Sequence, residues 1–178
     1  MTRLLIHFTL ALLCSIASSA YCDEQQSEEN LVKAVFIYNF AKFTRWPADT
    51  WAMNEAVLRI CAVGDDEMVG ALAQLNGKKV REHPVIVEPK GVTNNLHTCH
   101  LIYLARSRHD LTQVTTDHIN SKPILTVSEI KDFSKQGGMI ELYTINGKVR
   151  FKINLQTTRD AGLDLSSRLL KLAAEVHR

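Results

Sequence analysis

The sequence is short of charge bias, of reactive motifs and of long apolar runs, and each shortage excludes a class of protein. Its 21 Lys and Arg against 19 Asp and Glu leave a net charge of +2. That is too little to hold a phosphate backbone or an anionic membrane surface, so no nucleic-acid partner is expected. There is no C-x-x-C, which argues against a thioredoxin-like redox enzyme. There is no G-x-S-x-G, no H-E-x-x-H and no glycine-rich phosphate loop, so no nucleophile–base pair, metalloprotease site or nucleotide cradle is in view. No repeat or low-complexity tract stands out. Beyond the first residues, no run is long and apolar enough to span a bilayer.

What is present begins with an export signal. Arg3 precedes an apolar run from Leu4 to Ala17, interrupted by His7 and followed by small residues and an acidic, polar segment. This is the pattern of a secretory signal peptide over residues 1–22, cleaved after residue 20 or 22. Bulky Tyr21 before Cys22 disfavours a lipoprotein. The remaining chain is long enough for one domain with a proper core, expected in the periplasm with no direct membrane insertion. Cys14 leaves with the signal, and Cys22 leaves or sits at the new terminus. Cys61 and Cys99 remain in an oxidising compartment, either as a disulfide or as two buried thiols. A bridge would contribute about 4 kcal/mol on the chain-entropy account.

Strand-like and helical segments alternate. Ser27 or Asn30 can cap a helix running to about Phe43, where Pro47 forbids continuation. Val57 to Val63 reads as a buried strand. A helix follows, capped by Asp65 or Asp66 and ended at Gly77. "PVIVE", "HLIYLAR" and "PILTV" read as three more strands, with a helix from about Asp110 to Ile119 before the last. "EIKDFSK" after Ser128 reads as a short helix. The pattern implies an α/β fold with a mostly parallel sheet in a Rossmann-like βαβ arrangement. "MIELYTINGKVRFKIN" is an antiparallel hairpin about Asn146-Gly147. A two-residue turn pairs Ile145 with Lys148, Tyr143 with Arg150 and Glu141 with Lys152 on one face. The apolar face pairs Thr144 with Val149, Leu142 with Phe151 and Ile140 with Ile153. Closing helices are expected over Leu155 to Ala161 and from Ser166 or Ser167 to Val176.

"VFIYNFAKFTRWP", Val35 to Pro47, is apolar almost all round, which suits a core, a membrane or an interface. Leu31, Val35 and Phe36 are read as core. Tyr38, Asn39, Lys42, Arg45 and Trp46 are the candidates for gripping a partner, since aromatics and arginine are enriched in protein–protein hot spots.

Ligands of α/β sheets sit beyond the carboxyl ends of the strands. Those ends carry Asp65, Arg106, Ser107 and Ser128, the ligand-binding candidates. The acids after the first strand and the serine after the fourth resemble a receiver domain. Arg106, however, stands where such a domain needs its acceptor aspartate. Helix capping competes as the role of Asp65, Ser107 and Ser128. "HTCH" (His97, Cys99, His100) puts its ligands on opposite faces of a strand, so no metal site is expected.

The blocks "AVFIYNFAKFTRWP", "LRICAVGDD", "LNGKKVREHPVIV", "CHLIYLARS" and "PILTVSEIKDFSKQGGMIELYTINGKVRFKINLQTTRDAGLDLSSRLLKLA" together resemble the YfiR-like family of secreted proteins. The likeness rests on their order and spacing and covers residues 30–176 as a single domain. It implies a non-catalytic, cofactor-free periplasmic regulator. The partner it implies is the periplasmic part of an inner-membrane signalling protein, such as a diguanylate cyclase that controls cyclic-di-GMP and biofilm behaviour, or a histidine kinase. Cys61 and Cys99 match cysteine positions of relatives; the second cysteine pair that some relatives carry near the hairpin is absent. A homodimer is left open. A small-ligand binding module feeding a membrane sensor is the second reading.

Overall fold

The computed structural model describes residues 26–51, 57–64, 66–91, 96–113, 119 and 122–178. The expected signal segment, Asp65 and residues 114–118 of the helix expected after Asp110 lie outside the described residues.

Helix α1 occupies residues 26–43 of the described chain, so Ser27 and Asn30 lie inside it rather than capping it. Its buried positions are Asn30, Lys33, Ala34, Ile37, Phe40 and Ala41, spaced three and four apart as one helical face requires. The opposite stripe is Glu28, Val32, Val35 and Lys42, all exposed, with Asn39 half-buried among them. The helix is therefore not buried all round. Val35, read as core, is 54% exposed because the helical period turns it away from Ala34 and Ile37. Leu31 and Phe36 are half-buried against the core. The Thr44 hydroxyl donates to the Phe40 carbonyl at 2.7 Å and ends the helix. Strand β1 (Thr44–Arg45) follows, paired antiparallel with β9 (Asp164–Leu165).

The main sheet has eight strands in the order β10-β8-β7-β6-β5-β2-β4-β3. They are β2 (Leu58–Val63), β3 (Lys79–Val80), β4 (His83–Pro89), β5 (Leu101–Leu104), β6 (Leu125–Ser128), β7 (Ile140–Ile145), β8 (Lys148–Asn154) and β10 (Glu175–His177). All pairs are parallel except β3–β4 and β7–β8. The architecture is the expected mixed α/β with a mostly parallel sheet. Between β2 and β4 the crossover is an α-helix, α2 (Asp66–Ala73). Among the described residues the β5–β6 connection holds a 3₁₀ segment, Arg106–Leu111, followed by helical residues 112–113, and the β6–β7 connection holds a 3₁₀ turn, Phe133–Lys135, where a short helix was expected.

The hairpin has the register read from the sequence at all six pairs, from Ile140↔Ile153 to Ile145↔Lys148. Asn146 and Gly147 both have positive φ, the conformation a two-residue turn of this type demands. The last element departs from expectation. The helix after Ser166 stops at Leu172, and Glu175–His177 instead joins β8 as a parallel strand. The Ala174 amide bonding the Phe151 carbonyl draws the chain into the sheet.

Two cores flank the sheet. One face packs α1 and α2 on Ile60, Leu101, Leu125, Leu142 and Phe151. The other buries Cys61, Ile102, Leu104, Ile124, Ile130 and Phe133 under irregular chain. Cys61 and Cys99 are bridged within this second core, their Cα atoms 5.9 Å apart.

The tryptophans close the amino edge of the strands. Trp51 stacks on His83 with ring centroids 3.8 Å apart and on His100 at 4.8 Å, while Trp46 meets it edge-on at 6.1 Å. The His100 ring is held by its Nδ1, which accepts the Arg59 backbone N–H at 3.0 Å.

Candidate docking helix and carboxyl-edge cleft

The five residues expected to grip a partner are not equivalent. Trp46 is only 7% exposed, because it packs beneath Trp51 and belongs to the core. It is a structural residue, not a surface grip. Tyr38 is half-buried, and its hydroxyl donates to the Lys79 carbonyl at 2.6 Å, pinning α1 to β3. Arg45 is exposed but pairs with Asp164 at 3.0 Å, reinforcing the β1–β9 ladder. Lys42 is exposed, and Asn39 half-buried, on the outward stripe with Val32 and Val35. The outward face of α1 is thus two exposed valines flanked by polar residues.

At the opposite edge from the tryptophans, the carboxyl ends of β5 and β6 meet the first turns of α1. Lys33 lies on the buried stripe and is 3% exposed, so its charge needs partners. It has two: Glu29 and Glu129, each at 2.7 Å. Glu129 also accepts the Tyr103 hydroxyl at 2.8 Å, and Arg106 stands 3.7 Å away. Glu29 in turn accepts the Thr144 hydroxyl at 2.8 Å, tying the helix to the hairpin. The hydrogen bond from Lys33 holds the Glu29 carboxyl below its ordinary range, with Thr144 and Arg106 adding to the effect against partial burial. Sequence reading missed this cluster. Its one local signal was Lys33 four residues after Glu29 on an otherwise apolar face.

Of the residues expected at the strand ends, Ser128 is fully buried. Its hydroxyl donates to the Leu104 carbonyl at 2.7 Å and accepts the Ile130 amide at 3.0 Å. It is a turn-forming residue with no exposed surface, in place of the ligand-facing position expected. Ser107 is exposed on the turn after β5. Arg106 is the candidate the structure leaves open, its side chain 71% exposed.

Arg106 forms the common wall of two cavities. One, about 190 Å³, is lined by Gln26, Asn30 and Glu67 together with the Lys33–Glu129 cluster. The other is an open cleft of about 710 Å³ between the turn after β6 and the hairpin face opposite α1. Glu141 and Lys152 meet on that face at 3.0 Å, and Lys152 Nζ also lies over the Tyr143 ring at 5.3 Å. Burial pushes the Glu141 carboxyl up. Hydrogen bonds from Lys152 and from the Ser134 hydroxyl and amide outweigh this and set it below its ordinary value. The same bond raises Lys152. No group of three or more potential metal ligands is found among the described residues.

The arrangement offers an outward helical face suited to docking and a charged cleft suited to binding. Among the described residues no nucleophile, base and orienting group converge in it. No helix of the described residues is long and apolar enough to cross a membrane. The model of the YfiR/HmsC-like family matches residues 30–174, which take in most of α1, the sheet through the hairpin and the closing helices, so the chain belongs to the YfiR/HmsC-like family.

Proposed function

We propose that this protein is an exported periplasmic regulator that docks the outward face of α1 onto the periplasmic part of an inner-membrane signalling protein. The observation that carries this reading is the pair of exposed valines, Val32 and Val35, in line with Asn39 and Lys42 on a helix otherwise anchored to the core. An apolar centre with a polar rim is the usual composition of a protein interface. Family membership supports a regulatory role. The Cys61–Cys99 bridge suits an oxidising compartment. On this reading residues 1–22 are the cleaved export signal. The partner is a diguanylate cyclase or a related sensor, held off because the regulator binds its inactive conformation more tightly than its active one.

The test is a photo-crosslinker placed at Val35 in the exported protein, followed by recovery of adducts from membranes. The expected adduct is a membrane signalling protein with a periplasmic segment, and deletion of the gene raises cyclic-di-GMP. Absence of any membrane-protein adduct at Val35, with cyclic-di-GMP unchanged on deletion, overturns the proposal.

A further inference from the structure

We propose that the open cleft beside Arg106 is a binding site for a small polyanion of the polycarboxylate or phosphate class. This goes beyond the docking reading and does not depend on it, since no residue of the outward stripe of α1 lines the cleft.

Position, size and charge each support it. The cleft opens at the carboxyl ends of β5 and β6, the edge where α/β sheets place ligands. Its volume of about 710 Å³ is in the range of small-molecule sites. Its walls carry Arg106, Lys131, Lys152 and His109, against only two acids, Glu129 and Glu141. Both acids are already engaged. Glu141 is 3% exposed and accepts Lys152 and the Ser134 hydroxyl, at 3.0 and 2.9 Å. Glu129 accepts Lys33 and Tyr103, at 2.7 and 2.8 Å.

The cations are less satisfied. Arg106 stands at the outer limit of an ion pair with Glu129 and keeps most of its guanidinium in solvent. The Lys131 ammonium is exposed and makes no hydrogen bond or ion pair among the described residues. An anion with two or more charged oxygens can therefore take the Arg106 fork and the Lys131 ammonium together, with only the long Arg106–Glu129 contact to compete. A neutral ligand would leave both cations hydrated and gain only the narrow apolar floor of Ile130 and Leu142. Tyr143, under Lys152, closes the hairpin side.

The experiment is isothermal titration of the purified exported protein at low ionic strength. Citrate is used in one arm, inorganic phosphate in a second, and sodium chloride matched in ionic strength as the control. The expected result is saturable one-site binding of citrate or phosphate, the preferred arm identifying the oxyanion, with no saturable heat from chloride. Affinity falls at least ten-fold in Arg106→Ala and in Lys131→Ala and is unchanged in Lys78→Ala, which removes an exposed cation beside β3, at the sheet edge opposite the hairpin. Lys131→Ala removes an exposed side chain that makes no hydrogen bond or ion pair among the described residues, so its loss of binding reads on the site and not on folding. No saturable binding of either anion, or equal affinity in the Lys131→Ala variant, overturns the proposal. Because no membrane partner is involved, this outcome and that of the crosslinking test are separable.

Discussion

Lys33 Nζ meets Glu129 Oε2 at 2.7 Å, joining the buried face of α1 to the residue that follows β6. Both side chains are nearly inaccessible to solvent, 4% and 9% exposed. A buried pair of this kind is costly to break from one side, because the surviving charge is left without compensation. Lys33→Ala is expected to lower unfolding free energy by about 3–5 kcal/mol, measured by urea denaturation at neutral pH. The double variant Lys33→Met with Glu129→Met should recover part of that loss. Equal damage in both would show that the hydrogen bonds of the cluster, which include Glu29 and Tyr103, and not an unpaired buried charge, account for the loss.

The pair Glu141–Lys152 sets a pH window. Glu141 titrates in the folded protein below its ordinary 4.5, so its contribution is present above about 4.5 and is lost as pH falls through the folded value. Lys152 is raised above its ordinary 10.5, so its contribution is complete below 10.5 and is lost as pH rises through the folded value. Stability should therefore be flat between these limits as far as this pair is concerned. Glu141→Gln should lower the plateau and weaken the acid limb of a Tm-versus-pH curve. An acid limb of unchanged depth would assign acid unfolding to other carboxylates.

Trp46 and Val35 should separate stability from docking. Trp46→Ala is expected to cost about 3 kcal/mol or more, since it empties a packed site under Trp51. Val35→Asp lies on the exposed stripe and should change stability by less than about 0.5 kcal/mol, while reducing capture of the membrane partner at least ten-fold. Thermal melts and membrane pull-downs of the two variants check this. Undiminished capture by Val35→Asp would move the docking surface off α1.

Gly138 is a steric requirement. A Cβ there would come within 2.2 Å of the Phe133 ring, which is fully buried in the second core and has no room to retreat. Gly138→Ala should destabilise by about 1–3 kcal/mol through overpacking, read from chemical denaturation. The disulfide in the same core should matter comparably. Cys61→Ala with Cys99→Ala is expected to lose up to about 4 kcal/mol, and the same shift should appear on reducing the unmodified protein.

The hairpin register was legible because alternation has a period of two and Asn146-Gly147 fixes the turn, so one choice determines every pair. The parallel strands were legible as apolar runs. Helix α1 was legible as a helix but not in its orientation. From Leu31 onward it carries apolar residues on every side, and only the three-dimensional core decides that Ala34 and Ile37 face in while Val32 and Val35 face out. Lys33 was illegible as a buried charge because its second partner, Glu129, lies 96 residues further along the chain. Trp46 looked like a hot-spot residue by type, yet Trp51, His83 and His100 use the same aromatic surface to seal the strand ends. At the carboxyl edge, Arg106 could be singled out by position. Its companions Lys131, Tyr143 and Lys152 could not, because they come from a turn and a hairpin that only folding brings alongside.

The unequal covering of the sheet divides the molecule's freedom to change. On the helical side, a substitution in α1 is felt through ladders of packed side chains, so that surface can drift only along its outward stripe. On the side roofed by turns, loops can lengthen or exchange residues with little cost to the scaffold.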